Sequence, residues 1–350
     1  MYLRAMRAGQ RVLFIQTAFI GDAILATSML ETWRAARPFD EIHVCVRKGN
    51  ESLFTAHPFV KKTWIWDKRA GGFQRYVRLI RLGFQLRSTG FDAVFTPHRH
   101  ASSGWLAWCS GAPIRSGFSV HPLARLLTEV HLHRFGDGTH EIERNHDLIR
   151  SWAPKLKGPK LYPSTGDAAP WLALNATRKL RWVIMTPMSQ WHTKQWPLPH
   201  WEQLIRMQLN SGPDIAVCLM GSPSDAPDLE QLALTVNSDR VEIAAGWKLL
   251  EAARAMSFAQ AVVTNDSGPL HLASAVNAPT VAIFCSTSPS FGFGPLSTHS
   301  EILQVEENLS CRPCGMHGHK QCPESHFLCG VQVSAARVHQ SIQRLMMPKS

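Results

Sequence analysis

The chain has 350 residues, of which 45% are apolar and 18% charged, with 12 tryptophans. That length favours two domains over one, and that composition excludes a disordered chain. A formal net charge of +11 implies an anionic partner, whether nucleic acid, anionic lipid or a phosphorylated small molecule; no recognisable nucleic-acid module accompanies it.

Arg4, Arg7 and Arg11 lead into an apolar run over residues 12–20 that imitates a signal peptide, but Asp22 interrupts it and no small-residue cleavage site stands clearly after it. The run predicts a buried strand in a cytoplasmic protein. No segment approaches the roughly 20 uninterrupted apolar residues of a spanning helix, so membrane contact is expected to be peripheral, at the inner face of the cytoplasmic membrane.

In chain order, residues 11–16 predict a strand, 17–21 a loop and 22–36 a helix ended by Pro38, followed by a strand over 42–46. A helix over 73–87 and a strand over 91–95 continue the alternation that a parallel sheet requires. Pro154, Pro159, Pro163 and Pro170 mark a break. The pattern then restarts with strands over 182–186, 215–220, 261–264 and 280–284 and helices over 201–209, 270–276 and 334–346. The expected organisation is a first Rossmann-like domain over 1–160, a linker over 161–180, a second Rossmann-like domain over 181–330 and a terminal helix over 331–350.

Three loops at strand ends carry candidate chemistry, because ligands of doubly wound sheets bind beyond the carboxyl ends of the strands. Phe19-Ile20-Gly21-Asp22 brings a carboxylate to a helix start, where Asp is equally at home as a cap. The loop from Thr186 to Pro197 offers Ser189, Thr193 and Lys194 to a phosphate, with Trp196 and Pro197 stiffening its exit. Residues 264–273 open a helix at Ser267 and Gly268, and such a terminus favours a pyrophosphate. Asp266 would repel that anion unless it orients the loop or His271. On the same sheet edge, backbone groups near Met220 and Gly221 suit a base and Asp225 suits ribose hydroxyls, though an exposed loop acid explains Asp225 equally well.

In their order and spacing these motifs resemble glycosyltransferase family nine, the lipopolysaccharide heptosyltransferases. FIGDAILATSML resembles the acceptor-side motif, Lys194-Gln195-Trp196-Pro197 the Lys-x-Trp loop, and NDSGPLHLASAV the Asp-Ser/Thr-Gly-x-x-His signature. The tail Leu309-Ser310-Cys311-Arg312-Pro313-Cys314 is similar to that of the second inner-core enzyme, although the stretch after Gly315 departs from it. The resemblance implies an α/β fold of GT-B architecture, two Rossmann-like domains facing a central cleft, with the acceptor on the first and ADP-heptose on the second. It implies Asp22 as general base, with Lys194 and the amides near Ser267 and Gly268 stabilising the leaving pyrophosphate. No cofactor and no divalent metal are expected beyond the ADP-heptose donor. The acceptor would be a lipid A and inner-core oligosaccharide.

Lys61, Lys62, Lys68, Arg69, Arg75, Arg78, Arg81 and Arg87 stand against one acid, Asp67, and the arginines at helical spacing beside Val77, Ile80 and Phe84 suit a phosphorylated lipid or membrane surface, or form a merely solvated face. Cys45, Cys109, Cys218 and Cys285 read as buried thiols. Cys311, Cys314, Cys322 and Cys329, with His317, His319 and His326 among them, read as reduced loop thiols, with zinc as the alternative because only one CxxC pair is present. Competing expectations are another sugar-nucleotide enzyme of the same architecture, such as an epimerase, and a noncatalytic anion-binding protein with a zinc-stapled tail.

Overall fold

The computed structural model describes residues 9–68, 71–176 and 180–347; Arg4, Arg7, Arg69, residues 177–179 of the expected linker and 348–350 of the expected terminal helix lie outside them. The chain forms two compact units, Met1–Phe135 with Thr139–Tyr162, and Gly136–Gly138 with Pro163–Ser350.

The first unit contains β1 (Arg11–Gln16), α1 (Ile20–Leu25), α2 (Thr27–Ala36), β2 (Glu41–Arg47), β3 (Val60–Trp66), α3 (Gly72–Thr89), β4 (Ala93–Thr96), α4 (Ala101–Cys109), β5 (Ile114–Phe118), β6 (Glu129–His131) and α5 (Glu141–Asp147). Its six strands pair in the order β3-β2-β1-β4-β5-β6, all in parallel. β1 is buried on both faces. Leu13 and Ile15 join a core with Leu82 and Leu86 of α3 and Leu106 of α4, while Phe14 stacks on Phe95 at 5.2 Å and meets Trp33 of α2 edge-on at 5.9 Å.

The helix expected over 22–36 is two helices. The Thr27 hydroxyl donates to the Ile24 carbonyl at 2.6 Å, competing with the backbone at the joint as Ser and Thr side chains do.

The second unit contains α6 (Ala169–Asn175), β7 (Arg181–Thr186), α7 (Leu198–Asn210), β8 (Ile215–Gly221), α8 (Ala226–Val236), β9 (Val241–Ala245), α9 (Leu249–Met256), β10 (Ala261–Asn265), α10 (Gly268–Ala275), β11 (Thr280–Phe284), β12 (Ser300–Gln304), α11 (Leu328–Val331) and α12 (Ala335–Met346). Its six strands run β12-β11-β10-β7-β8-β9, again all parallel. With β7 counted as the first strand, this is the same doubly wound order as in the first unit. α12 belongs here: Val338 and Ile342 are fully buried in one core with Val183, Met185 and Trp201.

The stretch expected to be a linker is in part an element of this unit. Trp171 of α6 is buried and packs on Trp182 at 5.6 Å, and the Trp182 indole donates to Asn175 Oδ1 at 3.0 Å. Its apolar content, hidden among prolines in the sequence, covers the start of β7. Among the described residues no helix is long and apolar enough to cross a membrane.

Trp33 is fully buried, packs on Phe14 and Phe95, and donates its indole N–H to Asp40 Oδ2 at 3.2 Å. Trp33→Ala is expected to cost about 3–5 kcal/mol, read as a lower denaturant midpoint for the first unit's transition.

Candidate active site

In the first unit the strand order reverses between β2 and β4, on either side of β1, and the loops after β1 and β4 meet at that switch point. Phe19 is extended at the entrance to α1, which places Asp22 in the first turn. Asp22 remains partly accessible, yet burial pushes its carboxyl up to about 7; repulsion from Glu141 adds to this, while backbone hydrogen bonds at Asp22 and Phe19 and the Arg99 charge oppose it. The carboxyl thus accepts from the backbone at the start of α1, as a cap does, while burial makes it a weaker acid.

Glu141 lies at the start of α5, is itself pushed up by burial, and is restrained by Arg144, whose Nε donates to Oε2 at 2.9 Å. From the loop after β4, His98 Nδ1 lies 2.9 Å from Thr17 Oγ1. Burial, reinforced by the Lys68 charge, pushes His98 down to about 3, so this imidazole is neutral at physiological pH. Lys68 Nζ donates to the Thr17 carbonyl at 2.8 Å. Sequence reasoning placed Lys68 only in the basic stretch and missed His98, Arg99 and Glu141. The signal that reaches His98 and Arg99 is topological: a loop reading Pro97-His98-Arg99-His100 directly follows the strand that pairs with β1.

The second unit repeats the arrangement with β7 and β10 flanking its switch point. Lys194 Nζ donates to Asp266 Oδ2 at 2.7 Å, and the Thr287 hydroxyl donates to the same oxygen at 2.7 Å. The acid beside the helix start is thus neutralised by the lysine from the neighbouring loop and also held by the Thr287 hydroxyl. His271 is buried in α10 with its ring 6.3 Å from Phe293. Ser267 is the extended N-cap of α10, Gly268 the first helical residue, and Pro269 follows in the first turn.

Two expected ligand contacts are engaged in local structure. Thr193 is buried, and its hydroxyl donates to the His319 carbonyl at 3.1 Å while accepting from the His319 N–H at 2.7 Å and Ser286 Oγ at 3.0 Å. It fastens the tail loop to the Lys194 loop, so a phosphate contact through this hydroxyl is not what the structure offers. Asp225 Oδ2 accepts from the Ser222 N–H at 2.8 Å and the Ser222 hydroxyl at 2.7 Å, capping its own turn. The Gly221 carbonyl accepts from Gly246 N–H at 2.9 Å, and Met220 is buried in β8. Ser189 is half-buried, with its carbonyl accepting from Gln195 Nε2 at 2.7 Å.

Asn265, also missed in the sequence, organises the Lys194 loop. Its Nδ2 donates to the Pro187 carbonyl at 2.6 Å and its Oδ1 accepts from Trp196 N–H at 3.0 Å. The Trp196 indole in turn donates to the Val333 carbonyl at 2.8 Å. Arg312 ties the tail down, giving Nε to the Cys285 carbonyl and Nη2 to the Thr287 carbonyl, each at 2.6 Å. Gly318 allows this close approach: its φ is +75°, and a Cβ there would stand 2.8 Å from both Ser286 Oγ and Thr193 Oγ1. All eight cysteines are free. Among the described residues no group of three or more His, Cys, Asp or Glu is arranged to hold a metal ion.

Residues 79–327 match the family model described as Glycosyltransferase family 9 (heptosyltransferase). The chain belongs to glycosyltransferase family 9. A lipopolysaccharide heptosyltransferase 2 of Escherichia coli strain K12 is 25% identical over 312 residues, covering 84% of this chain and 88% of its own length. The solved structure of E. coli ADP-heptose LPS heptosyltransferase II superposes with a TM-score of 0.79 at 22% identity, covering 96% of this chain and 98% of that one. An E. coli heptosyltransferase solved with ADP gives a TM-score of 0.72 at 21% identity, covering 96% and 99%. As in these family 9 relatives, the fold is α/β and GT-B in architecture, and the chain is a glycosyltransferase.

Asp22 carries a stability signature. A carboxyl raised from 3.8 to about 7 burdens the folded state only where it ionises. The penalty is absent below the ordinary carboxylate range, grows as pH rises toward 7 and is complete above it. Asp22→Asn is therefore expected to raise the thermal midpoint above the parent's at pH 8, with the gain vanishing near pH 4.

Proposed function

We propose that this chain transfers heptose from ADP-heptose to a lipopolysaccharide inner-core acceptor with inversion at the anomeric carbon. The observation that carries the reading is the Asp22 carboxyl, held near 7 at the switch point of the first sheet, the range that suits a general base at physiological pH. The relatives named for heptosyl transfer, one of them solved with ADP, support the donor.

In this mechanism Asp22 takes the proton from an acceptor hydroxyl as its oxygen bonds to the anomeric carbon and the bond to ADP breaks. Lys68 and Arg99 supply positive charge toward an acidic acceptor. The charge left on the diphosphate is met by Lys194, which exchanges Asp266 for phosphate, and by the amides at Ser267 and Gly268 that open α10. Asp225, Met220 and Gly221 line the nucleoside side and Ser189 the phosphate side, with Thr193 and His271 supporting the loops. With a lysine and a helix start facing the leaving group, the mechanism assigns no step to a divalent metal. The same reading makes the enzyme cytoplasmic.

The test is acceptor-dependent ADP release from ADP-heptose with EDTA present throughout. Turnover should rise with pH to a plateau, with a midpoint near 7, as a deprotonated base requires. Asp22→Asn should lose roughly 10²–10⁴-fold in kcat/KM, and Lys194→Met roughly 10²–10³-fold in kcat. ADP binding without turnover would redirect the search to another donor sugar on the same fold; absence of nucleotide binding would end the reading.

A further inference from the structure

α3 bears two apolar stripes where packing on its own unit uses one. Leu82, Gly83 and Leu86 face inward, against β-sheet residues and against Trp105 and Cys109 of α4. A second stripe of Phe73, Val77, Ile80 and Phe84, spaced i, i+4, i+7, i+11, stands in solvent beside Tyr76, with Phe73 82% and Phe84 70% exposed. Single exposed apolar residues are ordinary, but five on one helix face in water are not.

The surroundings of the stripe are cationic. Asp67, the acid of the stretch from Lys61 to Arg87, is already paired with both Arg78 at 2.6 Å and Lys48 at 3.1 Å. Arg81 lines a shallow groove with Val77, Ile80, Phe84, Gln85 and Ser88. The Arg75 guanidinium lies 5.2 Å from the Tyr76 ring centroid, and Lys61 and Lys62 are exposed on the edge strand β3. The sequence suggested that Arg75, Arg78 and Arg81 would share one cationic face; instead Arg78 turns to Asp67, and the outward face is apolar with basic flanks.

We propose that α3 is a membrane-docking helix that lies in the plane of an anionic lipid bilayer. Phe73, Val77, Ile80 and Phe84 enter the boundary between headgroups and acyl chains, while Arg75, Arg81, Lys61 and Lys62 meet the lipid phosphates. Charge chooses this occupant: a cationic rim with its acid neutralised matches a surface of phosphates and disfavours a second copy of the same rim. The inference does not depend on the transfer reaction, because lipid binding is read directly.

The experiment is co-sedimentation of the full chain with vesicles of phosphatidylcholine alone or mixed with phosphatidylglycerol, at low and high salt. The parent should bind the anionic vesicles at least about tenfold more strongly than the neutral ones, and salt should weaken that preference. Phe73→Ser combined with Phe84→Ser should cut binding at least about tenfold, and Arg75→Glu with Arg81→Glu should remove the preference for anionic lipid. Unchanged circular dichroism and thermal midpoint would show that these exposed substitutions leave the fold intact. Absence of vesicle binding, or equal binding by parent and both variants, overturns the proposal. So does concentration-dependent dimerisation of the parent, abolished by the phenylalanine pair, in the absence of vesicle binding.

Discussion

Parallel strand pairing is the constraint on which the candidate chemistry depends. In each six-stranded sheet every strand runs the same way, so every carboxyl end, with the loop that follows it, lies on one edge. Where the order turns back at β1 and β7, the flanking connections go to opposite faces and leave a gap at that edge. Asp22 follows β1, Lys194 follows β7, and Asp266 follows β10; none of these positions is chosen by local propensity. The buried ladder of Val12 to Ile15 and of Val183 to Met185 gives these loops a rigid base.

The two edges use charge in opposite ways. At the first, an acid is kept short of water and close to another acid, so its proton is held near physiological pH. At the second, Lys194 and Asp266 satisfy each other at 2.7 Å while both are largely buried. Thr287 donates to the same carboxylate, so Asp266 has a second donor besides the ammonium. This pairing keeps the lysine oriented without leaving a buried charge unpaired.

The tail from Cys311 to Cys329 gains its order from backbone contacts. Arg312 on the carbonyls after β11, Thr193 on His319, and the Cys314 N–H donating to the Ser286 carbonyl at 2.8 Å hold it beside the Lys194 loop. A segment whose cysteines read in the sequence as reduced loop thiols, with zinc as the alternative, thus serves as a brace for the Lys194 loop.

Most of the interior strands were legible in the sequence because burial on both faces demands continuous apolar runs, as in Val12 to Ile15 and Val281 to Phe284. The edge strands β3, β6, β9 and β12 were not, since an edge tolerates Lys61, Lys62, Glu129, Glu242 and Glu301; nor was β5, whose Arg115, Ser116 and Gly117 break its apolar run. Asp22, Lys194 and the Ser267-Gly268 turn were visible because each stands beside a legible strand end. The sequence by itself determined the two alternating α/β units, the family motifs and which loops carry the candidate chemistry. Only the tertiary structure decided that Thr193 and Asp225 are engaged locally, that Asp266 pairs with Lys194, that Glu141 and Arg99 act on Asp22, and that His98 and Lys68 meet at Thr17. Those outcomes depend on pairing between residues far apart in the chain and on the loss of water around them, neither of which leaves a periodic trace in one sequence.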